Sequence, residues 1–143
     1  MGPVLLLFEM TSIFVVAEAP WVRNDVLSAT DDTRYQITVI DDPHRAIQRI
    51  ATGEKGSIVV VDMQVGSMGG MAICRAIREE RAAQSVPPLP VIMLLDRQAD
   101  AFLARRAGAA GWVLKPFTAF QLRSVLDEVS TPVTFQVGSE PQS

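Results

Sequence analysis

The stretch "SIVVVDMQVGSMGG", residues 57–70, joins an apolar run to a glycine-rich loop through a single carboxylate. Four apolar residues, Ile58 to Val61, lead directly into Asp62. Runs that are apolar throughout are typical of parallel strands that are buried on both faces of a sheet. In open sheets of this kind, ligands bind in the crevice beyond the carboxyl ends of the strands. The stretch therefore predicts a central parallel strand that places Asp62 at a functional edge.

Strand-like and helix-like segments alternate on both sides of this stretch. Apolar, β-branched runs predict strands at residues 12–18, 35–41, 57–62, 91–96 and 112–115. Amphipathic spacing and turn residues predict helices at residues 20–32, 42–53, 70–83, 99–111 and 118–129. Such an alternation implies an α/β fold, with a parallel sheet covered by helices on both faces.

Length and composition indicate one domain. The chain has 143 residues, which we divide into an N-terminal extension (1–10), a domain (11–130) and a flexible C-terminal tail (131–143). A formal charge of −3 and a pI near 5.1 disfavour direct binding of nucleic acid. No apolar stretch reaches the roughly 18 residues that a membrane span needs. One cysteine, Cys74, fits a reducing compartment, so we expect a cytoplasmic protein without a membrane association.

Charged residues stand at the predicted carboxyl end of every strand. In strand order they are Glu18, Asp41 with Asp42, Asp62, Asp96 and Lys115. Nearby carboxylates bind a hard cation such as Mg²⁺ through oxygen, and a carboxylate is also a nucleophile that forms an aspartyl phosphate. A lysine beside it would neutralise the new phosphoryl charge. This edge therefore predicts phosphoryl-transfer chemistry.

Four segments carry a resemblance to a known family. They are "VVAEAPWVR" (15–23), "VVVDMQVGSMGG" (59–70), "LPVIMLLD" (89–96) and "AGAAGWVLKPF" (107–117). In this order they resemble the receiver domain of bacterial two-component response regulators, over about residues 11–130. The resemblance implies a flavodoxin-like (βα)5 three-layer sandwich with strand order 2-1-3-4-5. It also implies a single-domain regulatory protein rather than an enzyme, with at most slow autodephosphorylation.

The resemblance assigns roles to individual residues. Asp62 takes the phosphoacceptor position and Lys115, whose bond to Pro116 is often cis in the family, the phosphate-stabilising position. The ligands implied for Mg²⁺ are Glu18, Asp62 and the backbone carbonyl of Gln64. Leu95 and Trp112 take the two switch positions.

The implied partners are proteins. Upstream, the resemblance implies a sensor histidine kinase or a phosphotransfer protein. Downstream, it implies a protein partner, or a second copy of the chain in a homodimer, at the face formed by the fourth helix, the fifth strand and the fifth helix.

Three departures from the family pattern make this receiver atypical. Ala17 replaces the first acid of the usual pair, and the loop 65–70 lacks the usual proline and acid. Leu95 replaces a serine or threonine, and Asp96 replaces the small residue that follows. Leucine has no hydrogen-bonding group for a phosphoryl oxygen. These departures favour an alternative, a phosphorylation-independent pseudo-receiver that acts as a constitutive interaction module.

The remaining candidate residues have plainer interpretations. A nucleotide binder or small flavodoxin-like enzyme is a third alternative, but "AEAPW" (17–21) has no glycine-rich phosphate loop. Asp41 and Asp42 precede Asp62 by too few residues in the sequence to be the family's acidic pair. We interpret Asp42 as the N-cap of the next helix. We expect His44 to be exposed and Cys74 to be a core thiol.

Overall fold

The computed structural model of the chain describes residues 10–31, 33–52 and 57–130. Within these ranges, five parallel strands form one sheet in the order β2-β1-β3-β4-β5. The strands are β1 (Thr11–Val16), β2 (Tyr35–Ile40), β3 (Ser57–Asp62), β4 (Val91–Leu95) and β5 (Gly111–Leu114). The predicted α/β class and strand order are therefore confirmed. Residues 1–9 of the predicted extension and all of the predicted tail, 131–143, lie outside the described residues.

Helices connect the strands. They are α1 (Pro20–Ala29), α2 (Pro43–Ala51), α3 (Gly70–Ala83), α4 (Ala101–Ala107) and α5 (Ala119–Ser130). Helix α4 is shorter than the pattern predicts, because a 3₁₀ turn at Gln98–Asp100 precedes it and Gly108 ends it. Gly108 has a φ of 99°, a left-handed conformation that glycine adopts without a steric penalty. No helix in the described ranges is long and apolar enough to cross a membrane.

The helices cover both faces of the sheet and enclose two apolar cores. Helices α2, α3 and α4 pack on one face, and α1 and α5 pack on the other. Alternate residues of the central strand β3 enter the two cores: Val59 and Val61 face the first, whereas Ile58 and Val60 face the second. Every residue of β3 is buried, which explains why its sequence is a continuous apolar run.

Three large apolar residues on the helices are exposed rather than buried. Trp21 is 55% exposed, Leu27 39% and Phe120 73%. In α1 the buried residues are Val22, Val26 and Ala29. Trp21 directly precedes Val22, and Leu27 directly follows Val26. One residue turns about 100° around a helix, so a position next to the buried stripe already points outward.

Asp42 has the local role that the sequence predicts. Its side chain accepts the backbone N–H of His44 at 3.1 Å, and it is the N-cap of α2. His44 is exposed, as expected. The capped helix begins one residue later than predicted and ends at Ala51, so the pattern slightly overestimated its length.

Candidate functional site

Asp62 ends the central strand and is almost completely buried. The residue is 1% exposed, and β3 lies between β1 and β4 in the sheet. The chain then turns sharply into α3. Gly70, the first residue of that helix, can lie close to the backbone of Asp62 because it has no side chain. A Cβ at Gly70 would lie 2.5 Å from the backbone oxygen of Asp62, and the Gly70 N–H donates to the oxygen of Met63 at 2.8 Å.

Lys115 contacts the carboxylate of Asp62 directly. Its Nζ lies 2.5 Å from Oδ1 of Asp62, and the side chains are 6% and 2% exposed. The backbone N–H of Lys115 donates to the oxygen of Leu95 at 2.8 Å, which continues the pairing of β5 with β4. The Lys115–Pro116 bond is cis. The strand-end pattern therefore correctly placed these two side chains at one edge of the sheet.

Asp96 is a second carboxylate on the same lysine. Its Oδ1 lies 3.0 Å from Nζ of Lys115, and its Oδ2 accepts the side-chain amide of Gln64 at 2.8 Å. The sequence places Asp96 at the carboxyl edge of the sheet and marks it as a departure from the family pattern, but it assigns Asp96 no role in the site. The signal was present in the sequence, because Asp96 follows β4, the strand between β3 and β5.

Trp21 is a further neighbour of Lys115 that the sequence did not indicate. The centroid of its ring lies 5.6 Å from Nζ, within the range of a cation–π interaction. Trp21 is the second residue of α1, so the loop after β1 brings it to the carboxyl edge of the sheet. Lys115 is thus held by Asp62, Asp96 and an aromatic ring.

Glu18 lies at the same edge but contacts the loop after β3. Its Oε1 accepts the backbone N–H of Gly66 at 2.8 Å, and the residue is exposed. Ala17, at the position of the missing acid, is fully buried and has no oxygen on its side chain. Among the residues that the structure describes, no group of three or more His, Cys, Asp or Glu side chains is arranged to hold a metal ion.

The predicted Mg²⁺ ligands offer a reduced set of oxygens. A carboxylate has two oxygens, so Glu18 retains one for a cation after bonding to Gly66, and Asp62 retains one after bonding to Lys115. Mg²⁺ is typically held by one or two carboxylates together with water and phosphate oxygens. These residues therefore fit Mg²⁺, with one ligand fewer than a pair of acids after β1 would give.

The residues at the two predicted switch positions, Leu95 and Trp112, lie in or against one apolar core. Leu95 is fully buried, and Trp112 packs against the same cluster while remaining partly exposed. The guanidinium of Arg105 lies 5.4 Å from the centroid of the Trp112 ring. Leu95 presents no hydroxyl at the edge of the site, so a hydrogen bond from this side chain to a phosphoryl group is absent.

Cys74 lies outside the site, as predicted. It is fully buried, and its Sγ donates to the backbone oxygen of Ala107 at 3.4 Å. Burial raises the pKa of the Cys74 thiol, and the charges of Arg78 and Arg75 oppose that change only in part. A thiol that stays protonated is a poor nucleophile, so Cys74 is a structural residue.

A parallel sheet in this order with a buried aspartate–lysine pair at its carboxyl edge is the architecture of a receiver domain. A family model described as the response regulator receiver domain matches residues 13–127. The chain therefore belongs to the response regulator receiver domain family, which is a regulatory family rather than one of conventional enzymes.

A curated relative is similar to most of the chain, and solved structures share its fold. The heme response regulator HssR of Staphylococcus saprophyticus is 25% identical over 134 residues, which is 90% of this chain and 57% of HssR. The chain spans about half the length of the curated relatives that it matches. The chemotaxis response regulator CheY4 of Vibrio cholerae has a TM-score of 0.70 at 22% identity, over 84% of this chain and 98% of CheY4.

A third comparison concerns the metal. The receiver domain of the sensor histidine kinase PA1611 from Pseudomonas aeruginosa PAO1 has a TM-score of 0.71 at 20% identity, over 85% of this chain and 98% of that one. Its structure is described with a magnesium ion coordinated in the active site cleft. At this level of identity the likeness shows a shared fold.

Proposed function

We propose that this chain is a cytoplasmic receiver of a two-component phosphorelay and that Asp62 accepts the phosphoryl group. The observation that carries the proposal is the contact of 2.5 Å between Lys115 Nζ and the buried Oδ1 of Asp62 at the carboxyl end of β3. A buried carboxylate beside a cation is costly to maintain, so its place at the edge where this fold binds ligands favours a functional role.

The chemistry follows from these two side chains. One oxygen of Asp62 attacks the phosphorus of a phosphohistidine or a small acyl phosphate. A bond forms between this oxygen and phosphorus, while the bond to the histidine nitrogen or to the acyl oxygen breaks and its electrons leave with that group. Lys115 then neutralises charge on the phosphoryl oxygens. When bound near Glu18, Asp62 and the carbonyl of Gln64, Mg²⁺ would supply further positive charge to the same oxygens.

Partner contacts belong to the same proposal. Helices α4 and α5 each carry a large exposed apolar side chain, with Phe102 62% and Phe120 73% exposed. Exposed apolar patches commonly mark protein–protein contacts. We propose that a downstream protein, or a second copy of the chain, binds the face formed by α4, β5 and α5 after the phosphoryl transfer from a histidine kinase or phosphotransfer protein.

Intact-protein mass spectrometry tests the acceptor role. The protein is incubated with acetyl phosphate and Mg²⁺, with the Asp62→Asn variant as a matched control of nearly equal side-chain volume. One phosphoryl adduct on the wild type and none on the variant is the expected result. An equal adduct on both proteins would place the modification elsewhere and contradict the proposal.

A pseudo-receiver is the second candidate function. Its specific support is the lack of an acid at Ala17 and of a hydroxyl at Leu95, which removes one ligand for the cation and one hydrogen bond to the phosphoryl group. A folded wild type without an adduct, treated either with acetyl phosphate or with active histidine kinases, would favour this alternative. In that case partner binding would be unchanged by Asp62→Asn.

A further inference from the structure

We propose that Asp96 is a positioning residue that competes with the phosphoryl group for Lys115 and so restrains the phosphorylation of Asp62. This inference rests on the function proposed above. It concerns a side chain that departs from the family pattern, so the family's usual chemistry does not supply it.

The geometry shows how the competition arises. Lys115 Nζ lies 3.0 Å from Asp96 and 2.5 Å from Asp62, so one ammonium group serves two carboxylates. Charge-assisted hydrogen bonds of this kind are stronger than those between neutral groups. An incoming phosphoryl group needs the same donor. It therefore has to displace the carboxylate of Asp96 or share the lysine with it.

Asp96 is itself held in place. Its second oxygen accepts the side-chain amide of Gln64 at 2.8 Å, and its side chain is 34% exposed. Gln64 lies in the loop that directly follows Asp62. Asp96 therefore links the end of β4 to this loop and to Lys115, and its carboxylate is oriented by two partners instead of moving freely in solvent.

The negative charge of Asp96 also restrains the phosphorylation of Asp62. Asp62, Asp96 and Lys115 together carry a formal charge of about −1 with both acids ionised. A phosphodonor is also an anion, and like charges at short range repel each other. Removal of the charge on Asp96 leaves a neutral pair of Asp62 and Lys115, which an anionic donor approaches more readily.

Burial adds a steric part to the restraint. The side chain of Asp62 is 2% exposed, and Lys115, its direct contact, is 6% exposed. The ring of Trp21 also contacts Lys115, with the ring centroid 5.6 Å from Nζ. Because Asp62 is so little exposed, a donor reaches it only when neighbouring side chains move, and the contact with Asp96 is one of those that hold Lys115 in place.

The first experiment measures the rate of phosphorylation by acetyl phosphate and Mg²⁺ with mass spectrometry. Asp96→Asn removes the charge and keeps the size of the side chain and an acceptor for Gln64. We expect it to react about tenfold faster than the wild type, which corresponds to about 1.4 kcal/mol in the barrier. Asp96→Glu keeps the charge and is expected to stay near the wild-type rate.

A matched control separates this contact from net charge. Asp41 follows β2, the strand at the opposite edge of the sheet from β5, and is exposed. Asp41→Asn therefore makes the same change of charge at the same end of the sheet, and its rate is expected to equal that of the wild type. Equal acceleration by Asp41→Asn and Asp96→Asn would overturn the inference.

A second measurement does not depend on phosphorylation. The side-chain ammonium of Lys115 is observed by nitrogen-detected NMR and assigned by its loss in Lys115→Met. Asp96→Asn is expected to shift this signal and to speed its hydrogen exchange, whereas Asp41→Asn leaves it unchanged. An unchanged Lys115 signal in Asp96→Asn would overturn the inference, because it would show that Asp96 does not hold the lysine in solution.

The combined outcomes distinguish the two proposals. Equal rates for wild type and Asp96→Asn would overturn the role of Asp96 and leave the acceptor role of Asp62 in place. An adduct on Asp96→Asn alone would support the role of Asp96 and show that the natural chain is a pseudo-receiver. An adduct on neither protein, with both folded, would overturn both proposals.

Discussion

Lys115 and Asp62 form an ion pair in which both partners are almost fully buried, with side-chain exposures of 6% and 2%. Taking two charges out of water is costly, and only close pairing offsets that cost. The pair is not isolated, because Asp96 contacts the same ammonium group at 3.0 Å. The site therefore combines the proposed phosphoacceptor with groups whose pairing also bears on the stability of the fold.

Lys115→Met is expected to reduce the free energy of unfolding by about 3 kcal/mol, because it leaves a buried carboxylate without its cation. Methionine keeps an unbranched apolar stem, so packing changes little. Asp62→Asn is expected to cost less, since Lys115 keeps its contact with Asp96. Urea unfolding of both variants and of the double variant measures the coupling. If the two single costs simply add in the double variant, the ion pair does not contribute as described.

Leu95→Thr tests the missing hydroxyl, with Leu95→Val as a control of the same shape. Both variants leave a small gap at a fully buried position, and the threonine also buries a hydroxyl. We expect the free energy of unfolding to fall by about 1 kcal/mol for valine and by about 2 kcal/mol or more for threonine. With acetyl phosphate and Mg²⁺, the threonine variant, but not the valine variant, is expected to regain about 1.5–3 kcal/mol of stability through a hydrogen bond to the phosphoryl group. Thermal unfolding with and without acetyl phosphate measures this difference, and equal shifts for both variants would contradict it.

The fold and the central pair were predictable because they depend on short-range patterns and on one topological rule. A strand that is buried on both faces has a continuous apolar sequence, as Ile58 to Val61 do. The carboxyl ends of parallel strands meet at one edge, so Asp62 and Lys115 were expected at the same edge of the sheet once the strands were assigned. No detail of side-chain packing was needed for that step.

Contacts that depend on side-chain direction were not predictable in the same way. Asp96 joins the site because its side chain turns toward two partners, Lys115 and Gln64, which follow two different strands. Trp21 lies close to the lysine because its position on α1, one residue before the buried Val22, is on the exposed side of the helix. The contact of Glu18 with the backbone of Gly66 is likewise not visible in the sequence, and it leaves the second oxygen of Glu18 for the proposed Mg²⁺. Each of these depends on a rotamer and on a neighbouring loop rather than on sequence period.

The N-cap of α2 can be tested with two adjacent aspartates. Asp42→Ala removes the acceptor of the His44 N–H bond of 3.1 Å, so we expect a loss of about 1 kcal/mol in the free energy of unfolding. Asp41→Ala changes an exposed neighbour that does not cap the helix, and its effect is expected to stay within about 0.5 kcal/mol. Urea unfolding followed by circular dichroism compares the two. Equal losses would indicate that charge, rather than capping, accounts for the effect.

Cys74 gives the fold a dependence on alkaline pH. Burial raises the pKa of its thiol in the folded protein, whereas the unfolded chain has an ordinary thiol that loses its proton near pH ~8.5. Above that pH the folded state binds more protons than the unfolded state, so this contribution to stability falls as the pH rises toward the folded pKa. Its slope is at most about 1.4 kcal/mol per pH unit.

We therefore expect the free energy of unfolding of the wild type to fall more steeply above pH ~8.5 than that of Cys74→Ala. Urea unfolding at a series of pH values under reducing conditions measures both slopes, and other alkaline titrations cancel in their difference. The absolute stability of the variant is lower because alanine leaves a gap in the core, but a gap does not change a slope with pH. Parallel slopes would show that the Cys74 thiol ionises equally in both states and that burial does not hold its proton.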